Sequence, residues 1–233
     1  MTIKLITLDL DDTLWNTRPA LIAAEAAMYQ WIEQHSPTTA AFYPPEKMRE
    51  YMGQIALAYP EFAQKVTQLR QETLWRIFMQ AGHQRDEAKR LGQQAFDVFY
   101  RERNRLTLFE GVAENLAQIA DRFTVIAVTN GNADLRLVGI DHWFDHILTA
   151  DDGHAAKPNI EMFEKALSLA SCTSAQSLHI GDHPQMDIHA AQQAGFHTLW
   201  FNPNQTVWST QHTQPSAMLT HWSQLQECLK KFH

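Results

Sequence analysis

The feature that most constrains this chain is a strand set apart from the rest of its sheet. Residues 3–8 form a short, β-branched and apolar run that ends on acids at Asp9, which reads as a buried strand. From 17 to about 106 the texture is helical throughout. Pro19 sits where a first-turn proline belongs, and Leu21, Ile22, Met28, Trp31 and Ile32 follow at helical spacings. Further helices are expected near 46–58, 61–81 and 85–104, with Gly82 as a C-cap. From about 107 the pattern alternates. It gives a helix over 111–121, a strand over 123–129, a short helix, a strand near 145–149 and a helix over 159–170. A strand over 177–181, a helix over roughly 185–194 and a strand over 196–201 follow. Residues 217–221 are expected to add a last strand, and Ser223 with Gln226 fits a capping box that opens a terminal helix. Strands alternating with helices imply a parallel sheet covered on both faces. The first strand therefore belongs to this later region. The expected architecture is α/β, a Rossmann-like parallel sheet core of 1–16 and 107–233 with an inserted helical domain of 17–106.

Composition narrows the class of partner. The 233 residues are 45% hydrophobic and carry a net charge of -7, the balance of a globular protein without the basic excess of nucleic-acid binders. No apolar run approaches a membrane span, and the N-terminal residues lack a signal-peptide apolar region. Cys172 and Cys228 show no metal spacing. These features give a cytoplasmic location with free thiols as the simplest expectation, with no nucleic-acid or membrane partner and a monomer or small homo-oligomer.

In parallel sheets of this kind, chemistry gathers beyond the carboxyl ends of the strands. The first strand ends in Asp9-Leu10-Asp11-Asp12-Thr13-Leu14, and the strand at 123–129 ends in Thr129-Asn130-Gly131. Lys157-Pro158 precedes the helix at 159–170, and Gly181-Asp182 with Asp187 closes the strand at 177–181. Each residue alone has a plain reading, as a helix cap, a strand residue or a solvated lysine. Together they supply what phosphoryl transfer requires. A carboxylate attacks phosphorus, cations offset the repulsion between it and a phosphate dianion, and a second acid protonates the leaving alkoxide and later activates water. Carboxylates at a phosphate also suit Mg²⁺.

These four motifs resemble those of the haloacid dehalogenase-like hydrolase superfamily, over about residues 1–16 and 107–222. The resemblance implies Asp9 as nucleophile and Asp11 as general acid/base. It implies Thr129, Asn130, Gly131 and Lys157 at the phosphate. Mg²⁺ would be held by Asp9, the carbonyl of Asp11 and Asp182, with Asp187 acting through a metal-bound water. It also likens the insert to the helical cap of that superfamily, a cap that closes over a small substrate. Met186 departs from the pattern, since many relatives carry Asn there, and this puts one supporting hydrogen bond in doubt. The stretch from Asp11 to Pro19 resembles bacterial phosphatases acting on flavin mononucleotide and related small phosphates.

The expected activity is Mg²⁺-dependent hydrolysis of a small phosphomonoester (a nucleotide, flavin or sugar phosphate) through an aspartyl-phosphate. Asp11 speaks against a dehalogenase, which keeps no acid at that position. The core motifs leave a phosphomutase open. A phospho-receiver domain would be about half as long and lack the insert, and an inactive binding module would not retain every catalytic group. Trp15 and Arg18 are candidates for contacting the substrate beyond its phosphate; anchoring of the cap is the equal alternative for Trp15. His179, His183 and His189 do not have the spacing of a zinc motif. His183 either caps its loop or touches substrate.

Overall fold

The computed structural model describes residues 2–208 and 213–232. In chain order, β1 (Leu5–Leu8) is followed by five helices: α1 (Thr17–His35), α2 (Pro37–Phe42), α3 (Pro45–Ala58), α4 (Val66–Gln80) and α5 (Arg85–Arg103). Then come α6 (Val112–Ala120), β2 (Thr124–Thr129), α7 (Leu135–Val138), β3 (His146–Thr149), α8 (Glu161–Ala170) and β4 (Ser177–Gly181). The chain continues through α9 (Ala190–Gln193), β5 (His197–Phe201), β6 (Ala217–Leu219) and α10 (Leu225–Leu229). It divides into two compact units, one of Met1–Asn16 with Thr107–His233, the other of Thr17–Leu106.

The first unit is built on a six-stranded sheet in the order β3-β2-β1-β4-β5-β6, with every neighbouring pair parallel. The chain runs outward from β1 to β3, then returns to β4 on the other side of β1. The order therefore reverses at β1 and β4, and the crevice at such a switch point is where ligands bind in open α/β sheets. The central strands are buried on both faces, as continuous apolar runs require. Under them, Leu5, Ile126, Val128 and Leu148 meet Met162, Phe163 and Ala166 of α8 and Ala190 and Ala191 of α9.

The second unit is helical because three stripes at helical spacing bury against one another, with Ala40, Tyr43 and Met48 joining the same core. The stripes are Ala24, Met28 and Ile32 of α1; Leu74, Ile77 and Phe78 of α4; and Ala88, Leu91, Ala95, Phe96 and Phe99 of α5. Gly92 permits the close approach of α4 and α5, because a Cβ there would lie 3.0 Å from the backbone nitrogen of Trp75.

Several local expectations differ from the structure. The helix expected over 61–81 is broken into a 3-10 turn, Pro60–Phe62, and α4. The helix α2 was not anticipated; Ser36, whose hydroxyl meets Thr39 Oγ1 and His83 Nε2 at 2.7 Å each, precedes it. The helix expected over 185–194 is a π-helical turn, Pro184–His189, running into α9. The capping box lies two residues earlier than expected, with His221 at the cap and Gln224 three residues on, opening the 3-10 turn Trp222–Gln224 before α10. Among the described residues, no helix is long and apolar enough to cross a membrane.

Candidate active site

The site grows out of the end of β1. The Asp9 N–H donates to the Ile180 carbonyl at 2.9 Å and so carries the sheet ladder one residue past the strand. The chain then turns back on itself. The N–H groups of Thr13 and Leu14 both donate to the Leu10 carbonyl, and Asp12 adopts φ 60°, a left-handed conformation that a short polar residue tolerates. This tight turn returns the Thr13 hydroxyl to the strand end. It lies 2.9 Å from Asp9 Oδ2 and 3.3 Å from Asp182 Oδ1, and its single proton serves one carboxylate at a time.

Lys157 is the positive centre. Its ammonium donates to Asp9 Oδ1 at 2.7 Å, Asp187 Oδ1 at 2.6 Å and the Val128 carbonyl at 2.7 Å, which uses all three of its protons. Burial alone would discharge the amine, but Asp187 and Asp9 outweigh it and hold Lys157 above the ordinary lysine range. The loop bearing Lys157 is clamped to the end of β2 by Asn130. The Asn130 amide donates to the Lys157 carbonyl and its oxygen accepts the Lys157 N–H, both at 2.8 Å. The Asn130 side chain, expected at the phosphate, thus has its oxygen and one amide proton committed to this loop.

Beneath the carboxylates lies a supporting pair, Thr7 and His179, whose role behind Asp187 the sequence reading left out. Asp187 Oδ2 accepts the His183 N–H at 2.9 Å, and its Oδ1 also receives His179 Nε2 at 3.4 Å. Burial opposes the charge on Asp187, yet Lys157 and then His179 hold it below the usual carboxylate range. His179 is fully buried, and burial pushes its imidazole below the ordinary histidine range. A neutral ring that donates from Nε2 must accept at Nδ1, and Thr7 Oγ1 lies 2.9 Å from it. Thr7 and His179 are register partners on β1 and β4. The sequence signal was a polar pair within two apolar strands. Gly181 completes this support, since a Cβ there would lie 2.5 Å from Asp187 Cβ.

Asp11 and Thr129 stand on the other side. Asp11 Oδ1 accepts the Trp15 indole N–H at 2.8 Å. A Cβ on Gly131 would lie 2.2 Å from Asp11 Oδ2, so glycine alone leaves room for the carboxyl group. Thr129 is buried, and its Oγ1 accepts the Gly131 N–H at 2.9 Å. Of the two readings of Trp15, its burial opposes the substrate contact: with 0% of its surface exposed, its ring offers no face for a ligand to stack on, and its polar atom is turned to Asp11. Arg18 is exposed in the first turn of α1, in the helical unit. His183 caps its turn, its Nδ1 accepting from the N–H groups of Gln185 and Met186 at 3.2 Å each.

The donor set fits a divalent cation. One carboxylate oxygen each from Asp9, Asp182 and Asp187 lies within 4.8 Å of the others, a cluster of hard oxygen donors without histidine or cysteine. One lysine faces three carboxylates, and the imbalance is visible in their protonation. Burial, against the pull of Lys157 and with Asp187 and Asp182 adding to it, pushes Asp9 well above the carboxylate range. Asp182 is pushed up to about 7, by burial first and then by Asp187 and Asp12. A cation at this cluster would relieve that repulsion. Beside it, a cleft of about 460 Å³ is lined by Asp12, Asn16, Phe109, Asp182, Trp200 and Asn204.

Comparison with known proteins agrees with this arrangement. Residues 3–195 match the family described as haloacid dehalogenase-like hydrolase. The chain is 27% identical to the 5-amino-6-(5-phospho-D-ribitylamino)uracil phosphatase YigB of Escherichia coli, over 94% of this chain and 91% of that protein. It is 26% identical to a phosphoserine phosphatase of Thermus thermophilus, over 84% and 88% respectively. Among solved structures, one described as a 2-haloacid dehalogenase from Pseudomonas syringae superimposes with a TM-score of 0.95 at 37% identity, covering 100% of both chains. The chain belongs to the haloacid dehalogenase-like hydrolase family.

Proposed function

We propose that this haloacid dehalogenase-like hydrolase is a Mg²⁺-dependent phosphatase that cleaves a small phosphomonoester through an aspartyl-phosphate on Asp9. The observation that carries the reading is the pairing of two unlike acidic sites. Asp9, Asp182 and Asp187 form one cluster, with Lys157 bonded to Asp9 and Asp187, while the Asp11 carboxyl accepts the Trp15 indole N–H.

The chemistry follows from these positions. A carboxylate oxygen of Asp9 attacks phosphorus, the bond from phosphorus to the ester oxygen breaks, and that oxygen takes its electron pair and a proton from Asp11. Water then gives its proton to Asp11 as its oxygen attacks phosphorus, which releases inorganic phosphate and restores Asp9. Lys157 holds Asp9 in place, and the Thr129 hydroxyl, whose oxygen accepts the Gly131 N–H, donates its own proton to a phosphate oxygen, with the Asn130 backbone N–H beside it. Asp9, the Asp11 carbonyl and Asp182, with Asp187 behind them, would hold Mg²⁺, which supplies the positive charge that a phosphate dianion needs beside a carboxylate.

The dehalogenase named among the solved structures is the second reading, and charge weighs against it. A halide leaves without a proton, so it gives Asp11 nothing to protonate. A 2-haloacid carries a single negative charge on its carboxylate and has less need of a divalent cation at this acidic cluster than a phosphate dianion has. The phosphatases among the relatives support the first reading. Their substrates, a phosphorylated ribitylaminouracil and phosphoserine by name, belong to the expected class of small phosphomonoesters.

Parallel assays test the choice. Phosphate release from a panel including flavin mononucleotide, phosphoserine and 5-amino-6-(5-phospho-D-ribitylamino)uracil should exceed halide release from 2-chloropropionate by orders of magnitude and require Mg²⁺. The reverse ranking, without metal, would establish the dehalogenase.

A further inference from the structure

Trp15 is fully buried and belongs to the same tight segment as Asp11, with Asp11 and Trp15 forming one backbone bridge and Trp15 and Leu108 another. Its indole N–H, a donor only, lies 2.8 Å from Asp11 Oδ1. On the other side of the same carboxyl group, Oδ2 lies where a side chain on Gly131 would have to be. The group is therefore held at Oδ1 by a hydrogen bond, and the missing side chain of Gly131 leaves the space that Oδ2 occupies. A carboxylic acid has one transferable proton. When Oδ1 accepts the indole N–H, that proton resides on Oδ2.

We propose that Trp15 is a positioning residue for acid catalysis: its N–H occupies Asp11 Oδ1 and so presents the Oδ2–H to the departing ester oxygen. The inference rests on the phosphatase reading and adds to it the reason for a tryptophan at this position. It concerns the step in which the phosphorus–oxygen ester bond breaks and its electron pair, left on the ester oxygen, takes the Oδ2 proton. The benefit of correct presentation scales with the need for that proton. An alkyl phosphate needs it most, because its alkoxide is a strong base. A p-nitrophenyl phosphate scarcely needs it.

The test is leaving-group dependence. Trp15→Phe keeps an aromatic ring and removes the donor. Replacement of Trp15 by 3-benzothienylalanine keeps the shape of the indole and removes only the N–H, so it bears on the question even where the Phe variant fails to fold. With either replacement, kcat on an alkyl phosphate should fall on the order of tenfold or more. On p-nitrophenyl phosphate it should change by no more than about twofold, with KM and the Mg²⁺ requirement unaltered for both. Equal losses on the two esters, or no loss on either, would overturn the role of Trp15 while leaving the phosphatase intact. A wild-type protein that releases phosphate from neither ester would remove the phosphatase reading and this inference together.

Discussion

Asn130 and Lys157 hold each other by two reciprocal hydrogen bonds, the amide donating to the Lys157 carbonyl and the amide oxygen accepting the Lys157 N–H, each at 2.8 Å. This clamp fixes the backbone from which the lysine reaches Asp9 and Asp187. Its loss should therefore affect catalysis more than stability. Asn130→Ala is expected to cost about 1–3 kcal/mol of stability for two hydrogen bonds. It should lower kcat by on the order of 10²-fold, the usual effect of displacing a site group by an ångström. Thermal melts and steady-state phosphate release check the two figures.

Lys157 compensates two buried carboxylates, with its own side chain 2% exposed. Lys157→Met removes that compensation and should destabilise the metal-free protein by about 3–5 kcal/mol. Added Mg²⁺ should restore part of the loss, because the cation takes up charge that the lysine no longer offsets. A melt series with and without Mg²⁺ should show a larger metal-induced rise in Tm for the variant than for the wild type.

Metal affinity should depend on pH through Asp182. Its carboxyl, raised to about 7, is largely protonated below that pH in the metal-free protein, and the cation must displace the proton to bind. Affinity for Mg²⁺ should thus weaken as pH falls below about 7, by up to about tenfold per pH unit for the Asp182 proton alone. The sign for the stability of the metal-free protein is the opposite. A carboxyl with a raised folded-state pKa binds more protons folded than unfolded, so this group makes the metal-free protein less stable as pH rises from about 4 to about 7. Mg²⁺ should remove that slope. Calorimetric titration over roughly pH 5.5–8 would show a flat affinity if the assignment is wrong.

Two glycines should respond in opposite ways. Gly131→Ala would place a methyl group 2.2 Å from Asp11 Oδ2 and should abolish most activity by turning that carboxyl group. Gly53, exposed within α3 and with nothing within 4 Å of a built Cβ, should accept alanine with a gain of about 0.5–1 kcal/mol and unchanged kcat.

Much of this fold was legible because period-two and period-3.6 patterns have few alternatives over long buried elements. Parallel strands buried on both faces read as unbroken apolar runs, and β2, β4 and β5 stand within a residue of where the sequence put them. Short irregular pieces were not legible. The helix α2 and the π-helical turn at Pro184–His189 depend on tertiary partners, and the His221 cap relies on an imidazole acting as acceptor, outside the usual cap residues. At the site, the strand-end residues could be named from the sequence. What could not be read was which groups support them. Thr7 and His179 meet only because β1 and β4 pair in one register. Trp15 could be read equally as a ligand contact or as an anchor, because an aromatic beside a motif carries no signal of its burial.

The central claim is that Asp9 becomes phosphorylated during turnover. Rapid acid quench of the wild-type protein with Mg²⁺ and a phosphomonoester, followed by peptide mass mapping, addresses it directly. The account predicts one added phosphoryl group on the peptide containing Asp9, located to that residue, formed and lost at rates that match phosphate release, and absent from Asp9→Asn. Phosphate release at full rate by Asp9→Asn, or a carbon-linked ester on Asp9 after exposure to a 2-haloacid with no phosphoryl adduct from any phosphomonoester, would contradict it.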